Sequence, residues 1–481
     1  MTNQNLILSA VFIPLCLAFA LPFIGKLRQN ARNVFALLLA LAAFACSTAL
    51  LPAVLKGDII NVFKALQLGF NFSFIADPLA VFMAIVSSFI SAVIILYSFG
   101  YISHYKNQNE YYLMVVLFLG AMMGLVFSAN LIFLYIFWEI TAITSWRLIG
   151  FFREKQHVLR ADKAFMVTVF GALLMLVGFI RLGQEMGSYD LFVIKDAISI
   201  HPVSNVTIAL ILAGIFSKSA TLPFQTWLPD AGVAPSPVTA LLHAAVLVKI
   251  GVYVFARIFV ATIPLTQFWH AAVPMAAGIS ALVAAGAALV ETDLKRIIAY
   301  STISQIGFIF LGLSMGSELG FAGGLLYILM HGLAKAGLFL CAGIVEQNTR
   351  TKDITKLGGL ITAMPVTAIS FLFCAFSVMG IPPFGGFFAK YMVIAATLGG
   401  RHFIIAAIFI IGAFLTILYL FRAFNMVFLG QVKTSAPGEK EPVMVFSVAL
   451  LAVLSLAGGI FIRYPNEIAQ LSCAGLPGIF K

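Results

Sequence analysis

The chain has 481 residues, of which 62% are hydrophobic and only 10% charged, and its mean hydropathy of +1.06 excludes an ordinary soluble globular domain. Its formal net charge of +11 comes from Lys and Arg spread among short loops rather than gathered in one basic stretch, which argues against a nucleic-acid binder and for basic loops on one side of a membrane. The five cysteines show no CxxC spacing, so no zinc or iron–sulfur ligand set is offered.

A bilayer core about 30 Å thick needs roughly 20 apolar residues per helical span. On that measure the hydropathy pattern predicts an all-α polytopic membrane protein with spans near 4–25, 33–55, 78–101, 111–128, 130–152, 163–183, 204–227, 236–260, 268–290, 296–315, 320–346, 363–398, 402–428 and 442–462, about fourteen in all. The first of these lacks a basic leader and a cleavage site, so it is expected to be retained as a span. The run 363–398 is too long for one straight helix and must break near Gly380-Ile381-Pro382-Pro383. With the N-terminus outside, the cytoplasmic loops collect basic residues such as Lys26, Arg28, Arg153, Lys155, Lys163, Lys295, Arg296, Arg350 and Lys352, while the opposite loops and tail hold few, Lys481 among them. Both termini are therefore expected on the outer side of a prokaryotic cytoplasmic membrane.

FSKSATLPF at 216–224 and FSVMGIPPF at 376–384 agree in four of nine places, and each sets proline inside a span. Paired interrupted helices in two halves are the mark of inverted repeats in transporters. The expected organisation is a three-helix region over 1–110, five-helix repeats over 111–260 and 261–430, and a C-terminal helix and tail over 431–481.

Inside the apolar runs stand Glu139, Lys218, Lys249, Lys335 and Lys390, with His243 and His331. An ionised side chain at a helix centre costs about 2.5–3.5 kcal/mol on insertion scales, so five unpaired ones would cost on the order of 12–18 kcal/mol. They are expected to face one another or a hydrated interior, which is what proton transfer across a membrane requires. Glu139 is too short to reach the headgroups, and its expected partner is Lys218, ahead of the break at Pro223. His331 and Lys335, spaced i, i+4, share a helix face. On a regular helix, His243 points about 240° away from Lys249, so one face does not present both. Lys390 follows the second break and is expected to end the relay. The plain alternative for each lysine is a packed, paired residue holding helices in register. Arg147, Arg181, Arg257 and Arg422 lie near span ends, where long stems reach the headgroups; for Arg147, a positive field beside the relay is the alternative.

At these residues the chain resembles the antiporter-like membrane subunits of respiratory complex I, Mrp-type cation/proton antiporters and membrane-bound hydrogenases. The likeness runs over about 75–430, in FSFIADPLAVFM, ILYSFGYI, FWEIT…SWRLIGFF, KSATLPFQTWLPDAGVAPSPVTALLHAAVLVKIGVY, TDLKRIIAYSTISQIGFI, HGLAKAGLFLCAG and GIPPFGGFFAKY. It implies fourteen helices, two inverted repeats with broken helices seven and twelve, and a central polar axis. On that axis Glu139 resembles the fifth-helix glutamate, Lys218 the seventh-helix lysine, His243 and Lys249 the eighth-helix connection, His331 and Lys335 the eleventh-helix pair, and Lys390 the twelfth-helix terminal lysine. Two positions depart from the family: Ala172 stands where an acidic residue is found in the long complex I subunit, and Arg147 replaces a usual apolar residue.

The resemblance implies a proton-translocating subunit of a redox-driven complex, related to complex I, group 4 hydrogenases or formate hydrogenlyase. The alternative is a subunit of a Mrp-type secondary Na+/H+ antiporter without redox partners, with Na+ transport left open. The chain itself is expected to hold no cofactor and no redox or hydrolytic site. Iron–sulfur clusters, flavin or a nickel–iron centre would belong to hydrophilic partner subunits, beside further antiporter-like membrane subunits. A non-transporting scaffold would tolerate neutralisation of the buried charges.

Overall fold

A computed structural model describes residues 2–65, 71–198, 200, 202–434 and 436–474; Lys481 lies outside the described residues. Nearly all of it is helix: α1 (Asn3–Leu27), α2 (Gln29–Leu55), α3 (Pro78–Tyr101), α4 (Gln108–Phe127), α5 (Leu131–Ile149), α6 (Lys155–Met186), α7 (Asn205–Lys218), α8 (Ser236–Val260), α9 (Gln267–Val290), α10 (Leu294–Ser314), α11 (Glu318–Thr349), α12 (Pro365–Met379), α13 (Gly385–Gly399), α14 (Phe403–Phe428), α15 (Pro442–Ile460) and α16 (Arg463–Ala474). Among the described residues, 12 helices are long and apolar enough to cross a membrane, and three further apolar helices are shorter. The chain is a multi-pass integral membrane protein, and the shorter helices are those the prolines interrupt.

A β-hairpin and a terminal helix escaped the hydropathy pattern. Strands β1 (Ile60–Ala65) and β2 (Asn71–Ala76) pair antiparallel between α2 and α3, with Ile60 opposite Ala76. Helix α16 follows α15 where only a polar tail was expected. Both are too short and too polar to register in a window wide enough to detect a span.

The layering follows from composition. The spans over Ser236–Val260, Leu294–Ser314 and Glu318–Thr349 are 100%, 94% and 94% buried, whereas Asn3–Leu27, Gln29–Leu55 and Lys155–Met186 reach only 33–39%. α8, α10 and α11 therefore form the centre, and the outer helices turn apolar faces toward the surroundings. Local signals fix where helices begin: Asp77 accepts from Ala80 N at 2.8 Å ahead of Pro78, Asn130 from Ile132 N at 2.9 Å, and Asp293 from Lys295 N at 2.9 Å.

The expected span 204–227 is helical only to Lys218, and 363–398 divides at Gly380–Phe384. The two interruptions share one backbone pattern. Ala220 and Gly380 both take a left-handed conformation, with φ of 53° and 82°. Thr221 N bonds Phe216 O at 2.9 Å as Ile381 N bonds Phe376 O at 3.0 Å, and Phe224 N bonds Thr221 O at 2.9 Å as Phe384 N bonds Ile381 O at 3.1 Å. The nine-residue echo in sequence is thus an echo in hydrogen bonding.

A candidate proton-transfer axis

The central helices carry most of the buried charge. Lys218, His243, Lys249 and Lys335 are fully enclosed, His331 is 1% exposed and Lys390 4%. Among the described residues, none of the four lysines has a carboxylate within 4.0 Å. Their Nζ atoms turn instead to backbone oxygens and neutral side chains.

Lys249 on α8 reaches across to α11, where its Nζ lies 2.6 Å from His331 Nδ1 and 3.4 Å from Ile328 O. One turn further along α11, Lys335 Nζ donates to Ser301 Oγ at 2.5 Å and to Ile298 O at 3.3 Å, both on α10. Lys390 Nζ caps the broken end of α12 by donating to Val378 O at 2.7 Å and Met379 O at 3.4 Å, and sits 4.8 Å above the Phe308 ring of α10. The helix break frees carbonyls that would otherwise be bonded within the helix, and those carbonyls solvate the lysine.

From Lys335 a buried polar network extends through Ser301 to residues that the sequence pattern did not mark. Tyr419 Oη donates to Ser301 Oγ at 2.7 Å, Gln305 Nε2 donates to Thr416 Oγ1 at 3.1 Å and to Tyr419 Oη at 3.3 Å, and Tyr327 Oη donates to Gln305 Oε1 at 2.5 Å. The available signal was Ser301 and Gln305 at i, i+4 within the polar run Ser301-Thr302-Ile303-Ser304-Gln305 of a membrane span.

His243 and Lys249 are placed by a backbone irregularity. Within α8 the Val246 N bonds Leu241 O at 3.1 Å, an i to i+5 turn, and Val246 departs from helical geometry at φ −129° and ψ −72°. The wider turn rotates the downstream helix, so the 240° separation reckoned for a regular helix does not describe the two side chains. His243 packs on Phe339 with ring centroids 4.4 Å apart, and neither of its ring nitrogens has a hydrogen-bond partner among the described residues.

The expected Glu139–Lys218 salt bridge is open. Lys218 Nζ donates to Trp138 O at 3.3 Å and lies 5.1 Å from the Trp138 ring centre. Glu139, half-buried on α5, leaves Oε1 without a hydrogen-bond partner, and the two charges interact only through space. The ring and carbonyl of Trp138, the residue before Glu139, take the ammonium that the carboxylate was expected to hold.

Arg257, Arg147 and Arg422 each turn to protein groups, and Lys295, expected in a cytoplasmic loop, is buried. Arg257 forms a two-pronged ion pair with Asp77, Nη1 to Oδ2 at 2.5 Å and Nη2 to Oδ1 at 2.7 Å, with side chains 4% and 13% exposed. Burial by itself would raise the Asp77 carboxyl, but the guanidinium of Arg257 overcomes this and holds it below the usual carboxylate range. Arg147 pairs with Glu110, which also holds Arg153 at 2.5 Å, so one carboxylate serves two guanidiniums and a net positive charge remains beside α5. Lys295, assigned to a loop, is 2% exposed and pairs with Glu346 at 2.5 Å. Arg422 closes the end of α9 by donating to Leu289 O at 2.8 Å and Glu291 O at 2.9 Å, whereas Arg181 lies near the surface, 3.6 Å from Glu185. Hydropathy marks a charge near a span end but does not say whether it faces headgroups or a neighbouring helix.

This architecture recurs in known proteins. The sequence pattern described as "NADH:quinone oxidoreductase/Mrp antiporter, TM" matches residues 128–416, and that described as "NADH-Ubiquinone oxidoreductase (complex I), chain 5 N-terminus" matches 63–112. Subunit A1 of a Na(+)/H(+) antiporter from Staphylococcus haemolyticus is 33% identical over 494 residues, and its counterpart from Staphylococcus aureus is 33% identical over 497. The alignments cover 95% of this chain, which spans 61% of the length of those relatives. Among solved structures, a chain of the Mrp complex from Dietzia sp. superposes with a TM-score of 0.92 at 22% identity, covering 100% of this chain and 99% of that one. A chain of the membrane-bound sulfane sulfur reductase, an archaeal respiratory membrane complex, superposes with a TM-score of 0.90 at 24% identity, covering 99% and 98%. The chain therefore belongs to the NADH:quinone oxidoreductase/Mrp antiporter family of antiporter-like membrane subunits.

Proposed function

We propose that this chain is a proton-translocating, antiporter-like subunit of a larger complex in a prokaryotic cytoplasmic membrane, with both termini outside. The observation that carries the reading is the run of buried lysines without carboxylate partners: Lys249 against His331, then Lys335, then Lys390. Burying an unpaired charge costs several kcal/mol, so each lysine's protonation answers to water and to the charge beside it. Opening and closing of the Glu139–Lys218 pair would alter the field at Lys249 and send a proton through His331 and Lys335 toward Lys390. His243, whose ring nitrogens have no hydrogen-bond partner among the described residues, is placed to join the relay once water enters.

A redox-driven complex with hydrophilic electron-carrying partners is our first reading of the driving force, supported by the likeness to a chain of an archaeal respiratory complex. A Mrp-type Na+/H+ antiporter is the second, favoured by the 33% identity to antiporter subunit A1. The repeats proposed over 111–260 and 261–430 give the two breaks equivalent positions. The test is proton movement in native-membrane vesicles. Lys218→Ala and Glu139→Gln should each impair it while the subunit remains assembled, and normal pumping by both would end the relay account. Tagging the chain, extracting it gently and recording what copurifies separates the driving forces: iron–sulfur absorbance with hydrophilic subunits supports the first, colourless membrane proteins alone the second.

A further inference from the structure

A proton that reaches Lys335 must come from water on one side of the membrane. A polar cavity of about 650 Å³ opens at one end of the bundle, where the end of α3, the start of α10, the end of α11 and the start of α15 meet. Its wall carries Lys295, Glu346, Gln347, Arg350, Glu439 and Glu441, enough charged and polar groups to keep it filled with water. At its inner side Lys295 Nζ is 2.5 Å from Glu346 Oε2 and 3.2 Å from Ala234 O, and Ser236 Oγ donates to the same carboxylate oxygen at 3.4 Å. Lys295 is 2% exposed, so the pair forms the floor of the cavity rather than a surface contact.

Beyond that floor, α10 leads straight to the relay. The acceptors of Lys335, Ile298 O and Ser301 Oγ, stand three and six residues after Lys295, a rise of about 4.5 Å and 9 Å along the helix. Ser236, which touches Glu346, begins α8, the helix that carries His243 and Lys249. One ion pair thus joins the water-filled side to both helices of the axis.

We propose that this cavity is the aqueous vestibule from which Lys335 is loaded with protons, and that the Lys295–Glu346 ion pair is its gate. When the pair parts, water continues past it along α10. A hydronium ion in the vestibule then passes its proton through that water to the neutral Lys335 amine, leaving water behind and an ammonium in the bundle. The proposal rests on the relay reading and names the side from which it fills.

The test uses native-membrane vesicles holding the full chain and whatever assembles with it. Gln347→Cys should react with a membrane-impermeant cationic methanethiosulfonate and lose most of its proton movement, whereas the unsubstituted protein treated alike should keep it. A cysteine that fails to react, or that reacts and leaves transport at full rate, overturns the vestibule. Glu346→Gln should impair transport, and Glu346→Asp should restore part of it. The double variant Lys295→Met with Glu346→Gln removes both charges; if it transports at the full rate, the pair is only a brace and the gate is overturned, whereas continued impairment supports it. Lys335→Ala in the same vesicles separates the two claims. Full transport there removes the relay itself, and loss there beside full transport in labelled Gln347→Cys removes only the vestibule.

Discussion

Asp77 and Arg257 show how much rests on single partners. Removing one member of a buried ion pair leaves the other uncompensated, at a cost of about 3–5 kcal/mol. Arg257→Ala should therefore lower the thermal stability of the purified protein well below that of Arg181→Ala, whose pair with Glu185 is largely solvated; a melting curve in detergent checks this. The same pair sets a pH dependence. Because the folded Asp77 carboxyl lies below its unfolded value of about 4, its stabilisation is complete above that value and is lost as pH falls through the folded one. Melting temperature should fall with pH in that acid window, and Asp77→Asn should remove this component. Arg147 belongs at this scale too: Glu110 offsets only one of the two guanidiniums it holds, so Glu110→Gln would raise the net charge of the cluster from one to two, and Arg147→Ala would neutralise it.

At the scale of elements, the two helix interruptions free backbone carbonyls, and at the second Lys390 takes them. Gly380 ends α12 in the left-handed region, where a side chain costs about 1–2 kcal/mol, and a Cβ there would come within 3.0 Å of Lys390 Cδ. Gly380→Ala should both reduce stability by about that amount and crowd the lysine that caps the break, so its transport should fall more than its melting temperature suggests. Ala220 already occupies the equivalent left-handed position in the first break, and Ala220→Gly should leave stability unchanged or slightly raised, read from the same melting experiment. The i to i+5 turn at Leu241–Val246 is the third such element. It brings His243 and Lys249 of one helix to the centre together, which a regular helix would not do.

Across the whole molecule, the axis works as a unit if it works at all. Positioned proton-transfer groups contribute about 100-fold or more to a rate, and residues acting in series are not additive when removed. Lys249→Ala and Lys335→Ala should each reduce proton movement in vesicles by roughly 100-fold, and the double variant should be little worse than either. Additive losses would mean two separate routes. α8 and α11, which hold these groups, are with α10 the most buried helices, which keeps lipid away from the two lysines.

The sequence by itself determined the class of molecule and the positions of its buried charges. Runs of about 20 apolar residues admit only helices in a bilayer, and a lysine or glutamate within such a run is costly wherever it points. It also contained both helix breaks, because proline and glycine act locally, and the nine-residue echo survives as matching backbone hydrogen bonds. Only the tertiary structure decided the partners. Whether Glu139 meets Lys218, Arg257 meets Asp77 or Lys295 meets Glu346 depends on helix rotation and packing between residues far apart in the chain, and hydropathy carries neither. The wide turn in α8 was hidden for a related reason: one added residue in a hydrogen-bonded turn leaves composition unchanged but redirects every side chain beyond it.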